Sequence, residues 1–363
     1  MNKALIVTNN AGGLYLFRKD LIVSLFSAGY AVSAVTPFTS RISELKELGV
    51  DLINIQIDRR GKNLANDVIL LNKYRKVIEQ IHPDLIITYT IKPNIYVGII
   101  AASKGIPYAA NITGLGTALQ NNGILKEAVM KLYRLALKKA KVVFFENKSN
   151  AVFFLDNKII KKGQEKVLNG AGVDTGHFAY LEYPEDNDCF NFLFVGRIMK
   201  EKGIDELFAA TKRLINEGVN CKLTLVGTLE ENYKDIIEKY EKDGWIDYVG
   251  FKEDVRVYIK QCHCSVLPSW HEGMSNTNLE SASCGRPVIT TDIPGCREAV
   301  INGKSGFLCK KQDCESLYFF MRKFIELPFN IRKEMGICGR KLMQSEFEKT
   351  SVVTETIRAL GIT

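Results

Sequence analysis

Two α/β units in tandem, each a doubly wound parallel sheet, is the fold class the sequence predicts. Three observations carry it. Short β-rich runs alternate with helical patterns, and the runs are almost continuously apolar, as strands buried on both faces read. The alternation breaks at a polar, acidic stretch with a proline, residues 183–188, and then restarts. The chain has 363 residues, too many for one core at about 100–200 residues per domain.

The elements follow in order. Residues 4–8 form an apolar strand that ends at Asn9 and Asn10. Residues 16–28 carry apolar positions at helical spacing, among them Leu21 and Leu25. Residues 31–35 read as a strand, and 41–48 as a helix closed by Gly49. Strand 52–57, helix 68–81 and strand 85–89 complete the first series. After the acidic stretch come strand 192–195, helix 204–217, strand 222–226, helix 232–242 and strand 248–249. Helix 255–261, strand 265–267, helix 276–283 and strand 287–290 follow. In such sheets ligands sit beyond the C-terminal strand ends, so loops that follow strands are where chemistry is sought.

Composition narrows the function classes. The apolar fraction is 46% and the charged fraction 25%, which excludes a collagenous, low-complexity or largely disordered chain. No apolar run approaches the roughly 20 residues of a spanning helix, and the N-terminus lacks the shape of a signal peptide. The expected location is the cytoplasm. Nine cysteines, all from Cys189 onward, do not look like a disulfide framework. Cys262, His263 and Cys264 are the one tight cluster, but alternate strand residues face opposite sides and no second ligand pair lies near. Buried free thiols are the favoured reading. Charge is uneven: residues 1–180 hold 24 Lys and Arg against 13 Asp and Glu, a balance of +11, while 181–363 hold 25 against 28, or −3. A basic first half fits an anionic partner or a merely well-solvated surface.

Two loops in the second half carry the chemistry. The first is Gly196-Arg197, with Lys202-Gly203 five residues on, between a strand and a helix. Arg197 offers a planar fork for phosphate oxygens, Lys202 a point charge, and the glycines tight turns. The second runs from Pro268 through Glu272 and Gly273 to Glu280. The backbone N–H groups of Gly273, Met274, Ser275 and Asn276 open a helix, where an anion is favoured. Glu280, one turn in, suits paired hydroxyls such as a ribose diol. The bland alternative makes Glu272 a helix cap and Glu280 a solvated side chain. In the first half, Gly12 and Gly13 follow the first strand without the third glycine of a dinucleotide fingerprint. Gly114 and Gly116 likewise lack an acidic partner at the right distance.

Together these motifs resemble the retaining nucleotide-sugar glycosyltransferases of family 4, whose fold is GT-B: two Rossmann-like doubly wound domains facing across a central cleft. The resemblance spans nearly the whole chain. Glu272, seven residues and Glu280 look like the family signature, inside the expected run from Pro268 to Cys284-Gly285-Arg286-Pro287. It implies domains over 1–182 and 183–345, with a C-terminal helix in 346–363 that packs back on the first. It implies that Arg197 and Lys202 hold the donor diphosphate and stabilise the leaving nucleotide. Glu272 and the amides of Gly273, Met274, Ser275 and Asn276 would face the sugar and distal phosphate. Glu280 would bind the ribose, and Gly12 and Gly13 would close against the donor. Many relatives carry a histidine where Thr90 to Asn94 stand; here Ile91 or its neighbours take that place, and Lys92 is a conceivable substitute donor.

The wider flavour of the sequence resembles enzymes of capsule, O-antigen and lipopolysaccharide synthesis. It implies a UDP-linked donor, a polyprenyl-diphosphate-linked glycan acceptor, no cofactor, no metal and no nucleic acid. The one Asp-x-Asp pair, Asp186 and Asp188, lies in the acidic stretch and reads as solvated. Front-face retention would let the leaving phosphate take the acceptor's proton. Residues 123–141 hold six Lys or Arg and one Glu among apolar residues. This fits an interfacial helix on an anionic membrane, at the inner face of the cytoplasmic membrane, or a packed helix with a basic outer face. Two rivals remain: a UDP-sugar epimerase of the same fold, and a non-catalytic partner subunit. UDP release that requires an acceptor separates the first; intact Arg197, Lys202, Glu272 and Glu280 argue against the second.

Overall fold

A computed structural model describes residues 1–57, 64–116, 119, 123–185 and 189–362. The chain divides into two compact units, Met1–Ala171 with Thr350–Thr363, and Gly172–Lys349.

The first unit holds a seven-stranded, all-parallel sheet in the order β3-β2-β1-β4-β5-β6-β7. Its strands are β1 (Asn2–Val7), β2 (Tyr30–Thr36), β3 (Asp51–Asn54), β4 (Leu85–Tyr89), β5 (Tyr108–Ile112), β6 (Val142–Phe145) and β7 (Glu165–Val167). The central strands β4, β5 and β6 are buried at every residue, while the edge strands β3 and β7 are only partly covered. This is why their sequences are continuously apolar in the middle and mixed at the rim. Helices cover both faces and divide the core in two. Tyr74, Ile86, Tyr108, Tyr133 and Phe154 pack on one side; Ile6, Leu25, Ile87 and Phe144 pack on the other, joined by Val352 and Leu360 of the C-terminal segment.

The second unit repeats the plan with six parallel strands, β10-β9-β8-β11-β12-β13. They are β8 (Phe190–Val195), β9 (Cys221–Val226), β10 (Ile246–Gly250), β11 (Cys264–Leu267), β12 (Val288–Thr291) and β13 (Gly306–Cys309). In both sheets the winding reverses beside the first strand, between β1 and β4 and between β8 and β11. A crevice opens at such a switch point, and ligands bind there.

Several elements differ from the sequence reading. The first helix starts at Ala11, because the Asn10 side chain caps it by accepting the Gly13 N–H at 3.1 Å. Asn147, Ser275 and Asp313 cap three further helices in the same way. Between residue 89 and the acidic stretch the sequence reading names only the basic helix of 123–141, which the structure places at Ile124–Leu137; the structure adds helices Ile91–Lys104 and Lys148–Asp156 with strands β5 to β7. Beyond residue 290 it adds β13 and helices Cys314–Ile325 and Phe329–Glu346, and the C-terminal helix expected in 346–363 runs over Lys349–Ala359.

The unit boundary lies ahead of the acidic stretch, whose first residue is packed into the second unit. Tyr183 is buried and its hydroxyl donates to the His263 carbonyl at 3.0 Å. Arg286, fully buried, donates to the carbonyls of Leu181 and Glu182 at 2.9 and 2.7 Å and to Ile259 at 2.8 Å. Six carbonyls, with Lys260 at 3.1 Å, Gly285 at 3.4 Å and Cys284 at 3.5 Å, satisfy a guanidinium that would otherwise be costly to bury. Asp186 and Asp188 lie outside the described residues.

All nine cysteines are free thiols, six of them buried. His263 accepts the Asn191 N–H through Nδ1 at 3.0 Å and stacks on Phe190. Among the described residues no group of three or more His, Cys, Asp or Glu side chains is placed to hold a metal ion.

Candidate active site

In the second unit both predicted loops leave the two strands that flank the switch point. Gly196–Gly203 follows β8, and Pro268–Ser275 follows β11. The sequence brings them together through one residue. Gly203 has φ +76, and a Cβ there would stand 2.1 Å from the Pro268 carbonyl oxygen. Glycine alone lets the two backbones touch. The loops are then stitched: the Trp270 N–H donates to the Glu201 carbonyl at 2.9 Å, and Trp270 Nε1–H to Glu206 at 3.1 Å. His271 Nε2 lies 3.2 Å from Glu201 Oε2.

Lys202 and Glu272 form an ion pair with both side chains largely buried. Arg197 is more open and pairs with Glu230 Oε2 at 2.9 Å. Two cations and two carboxylates therefore share this edge, a balance the sequence reading missed. Glu230 stands in the loop after β9, far from Arg197 in sequence. Gly227 at the end of β9 has φ +149, and a Cβ would strike the Gly196 carbonyl at 1.8 Å, so glycine at 227 is what admits the Arg197 turn beside it. Beneath the site lies Cys296, fully buried, whose thiol is pushed up by burial and by the nearby Glu272 charge.

The opening of helix Asn276–Ser283 is tightly held. Ser275 caps it by accepting the Asn278 N–H, and the Ser275 N–H donates to the Gly295 carbonyl at 2.7 Å. Asn278 Nδ2 donates to Thr290 Oγ1 at 3.0 Å, and Thr290 in turn donates to the Leu267 carbonyl at 2.7 Å. Met274 is buried among Val173, Leu279 and Met343. Of the four backbone amides expected to face the phosphate, that of Ser275 is already engaged by Gly295. Asn276 keeps a buried Oδ1 with no hydrogen-bond partner. Glu280 sits half-buried on the next turn, and burial pushes its carboxyl up to about 8 against the pull of Lys349. Burial thus favours its acid form, where the sequence reading takes a carboxylate.

In the first unit, Gly12 and Gly13 lie in the first helical turn rather than in a loop. A Cβ on Gly12 would meet Ser40 Oγ at 2.4 Å, and one on Gly13 would meet Asn10 Nδ2 at 2.9 Å. They serve close packing around the cap. Across the switch point, helix Ile91–Lys104 follows β4 through Thr90, a non-glycine residue with φ +72. A cavity of about 260 Å³ lies here, lined by Thr90, Ile91, Asn94, Thr113, Gly114 and Tyr133. Thr90 Oγ1 and the deeply buried Asn94 Oδ1 have no hydrogen-bond partner. Lys92 is held by Asp67 at 2.9 Å, so its charge is not a free donor.

Helix Ile124–Leu137 has two faces. Val129, Met130, Tyr133, Ala136 and Leu137 are buried; Ile124, Leu125, Leu132 and Leu135 are exposed beside Lys131 and Lys138. Arg134 donates to the Asn157 carbonyl at 2.9 Å and Lys141 to Leu360 at 2.7 Å, so these two cations hold structure. No helix among the described residues is long and apolar enough to cross a membrane.

Residues 182–342 match the family Glycosyl transferases group 1, and residues 5–147 match Glycosyl transferase 4-like. The chain is 27% identical over 331 residues, 86% of each chain, to the N,N'-diacetylbacillosaminyl-diphospho-undecaprenol alpha-1,3-N-acetylgalactosaminyltransferase of Campylobacter jejuni. It is 29% identical to the capsular polysaccharide biosynthesis glycosyltransferase CapM of Staphylococcus aureus, over 48% of this chain and 46% of that one. Among solved structures, sucrose-phosphate synthase from Thermosynechococcus elongatus superposes with a TM-score of 0.82 at 19% identity, covering 99% of this chain and 98% of that one. Anabaena Alr3699/HepE, solved in complex with UDP and glucose, gives 0.80 at 16% identity, covering 99% and 100%.

Proposed function

The chain belongs to the glycosyl transferases that join a 4-like first unit to a group 1 second unit on the GT-B fold, and from that membership we propose that it moves a hexose or N-acetylhexosamine from a UDP-linked donor to a polyprenyl-diphosphate-linked glycan, with retention, in surface-polysaccharide synthesis. The observation that carries the reading is that the loops bearing Arg197, Lys202 and Glu272 leave the two strands that flank the switch point and are joined by Gly203 against Pro268 and by the Lys202–Glu272 pair. A UDP complex of a structure with the same fold and the lipid-linked substrate in the Campylobacter relative's name support the donor and acceptor classes.

In this reading Arg197 and Lys202 bind the diphosphate and stabilise the charge that develops as it leaves. Glu272, oriented by Lys202, faces the transferred sugar. Glu280 binds a vicinal diol, and the acid form that burial favours can both donate to and accept from it. The departing phosphate oxygen takes the acceptor hydroxyl's proton, so no separate base is required. No metal is assigned a part.

The exposed face of helix Ile124–Leu137 fits the acceptor's lipid. An apolar stripe rimmed by Lys131 and Lys138 is what shallow insertion into an anionic surface requires. The test of the donor class is a thermal-shift panel of UDP- and GDP-sugars. Stabilisation by UDP-sugars alone supports the reading; stabilisation by GDP-sugars alone replaces the base, and none by either overturns it.

A further inference from the structure

Each cation assigned to the diphosphate already faces a carboxylate of its own unit, and the two pairs differ in burial. The Lys202 and Glu272 side chains are 17% and 14% exposed; those of Arg197 and Glu230 are 50% and 35%. An exposed pair is weakly held and opens at little cost. A buried pair resists opening, because a separated charge is left without solvent. An incoming phosphate will therefore open the Arg197 pair first and leave the Lys202 pair standing.

Glu230 is not a carboxylate that happens to drift past. Its loop is laced to the Arg197 loop on both sides. The Ile198 N–H donates to the Thr228 carbonyl at 2.8 Å, and the Glu230 N–H donates back to Ile198 at 3.1 Å. The Lys200 N–H donates to the Glu231 carboxylate at 2.8 Å. The backbone thus holds Glu230 beside Arg197 whatever its side chain does.

We propose that Glu230 is an affinity-setting residue of the donor site: its carboxylate stands on Arg197 where a phosphate of a nucleoside diphosphate binds, and donor binding exchanges one anion for the other. The proposal rests on the donor reading above. When the nucleotide leaves, Glu230 returns to Arg197 and keeps the site from being held by product. The exchange also keeps a lone guanidinium from capturing unrelated anions.

Calorimetric titration of uridine, UMP and UDP into wild type, E230Q, R197A and the double variant tests it. Relief of an exposed pair predicts that E230Q binds UDP about two- to fivefold more tightly. The gain should vanish in the R197A background and be absent for uridine. Unchanged or weaker UDP binding by E230Q, or the same gain without Arg197, overturns the exchange. If wild type binds UDP and R197A weakens it while E230Q gains nothing, this proposal alone falls. If wild type fails to bind UDP, the donor reading falls with it.

Discussion

Replacing Glu280 by glutamine should stabilise the protein at alkaline pH and much less at acid pH. Burial raises the Glu280 carboxyl from its ordinary 4.5 to about 8. The folded protein therefore keeps a proton that the unfolded chain releases. Below about pH 4.5 both states are protonated and there is no penalty. Between 4.5 and 8 the cost of folding grows with pH, and above 8 it is complete. Each tenfold difference in proton affinity is worth about 1.4 kcal/mol, so the ceiling is ~5 kcal/mol. Glu280 is only partly covered, and solvent screening lowers this to roughly 1–3 kcal/mol. For a unit of this size that is about 2–10 °C in Tm. Thermal melts of wild type and E280Q at pH 5 and pH 8.5 measure it. The Tm gap should open by that amount between the two conditions. A gap of equal size at both pH values would refute the argument that a buried proton is the cause.

Other outcomes follow from the same geometry. Arg197→Ala and Lys202→Ala should each lower kcat/KM by about 10²–10³, but only Lys202→Ala should also lower Tm, since it strands the buried Glu272; EDTA should leave wild-type activity intact, and full loss restored by metal would contradict the two-cation account. Glu280→Gln should act mainly on donor KM and Glu272→Gln mainly on kcat, and steady-state kinetics showing the reverse would exchange their roles. Flotation with anionic liposomes should be weakened by Leu125→Ser with Leu132→Ser and Leu135→Ser, or by Lys131→Gln with Lys138→Gln, and by added salt; equal binding to neutral liposomes would leave the helix an ordinary packed one.

Much of this was legible in the sequence, and the misses have physical causes. The buried central strands announce themselves because no solvent face interrupts their apolar runs, and Gly196, Arg197, Lys202 and Gly203 mark a turn between strand and helix. Strand Tyr108–Ile112 carries two alanines and an asparagine in place of β-branched residues, which is why the first unit reads incompletely there. Gly12 and Gly13 look like a loop because glycine is rare inside helices, yet here they make room for Ser40 and Asn10. Arg286 looks like one more basic residue until its six carbonyl partners are seen together. Glu230 is invisible because nothing local ties it to Arg197; only the β8 and β9 pairing brings the loops together. The protonation of Glu280 is likewise a property of what surrounds it.

The most direct test of the central claim is transfer itself. The purified chain is incubated with a radiolabelled UDP-sugar, with and without a polyprenyl-diphosphate-linked saccharide, and the product's anomeric configuration is read by NMR. The account predicts label in the lipid fraction, UDP released only when the acceptor is present, and the donor's α configuration kept in the new linkage. An inverted linkage would remove the retaining mechanism. A converted UDP-sugar with no UDP released would identify an epimerase and contradict the account outright.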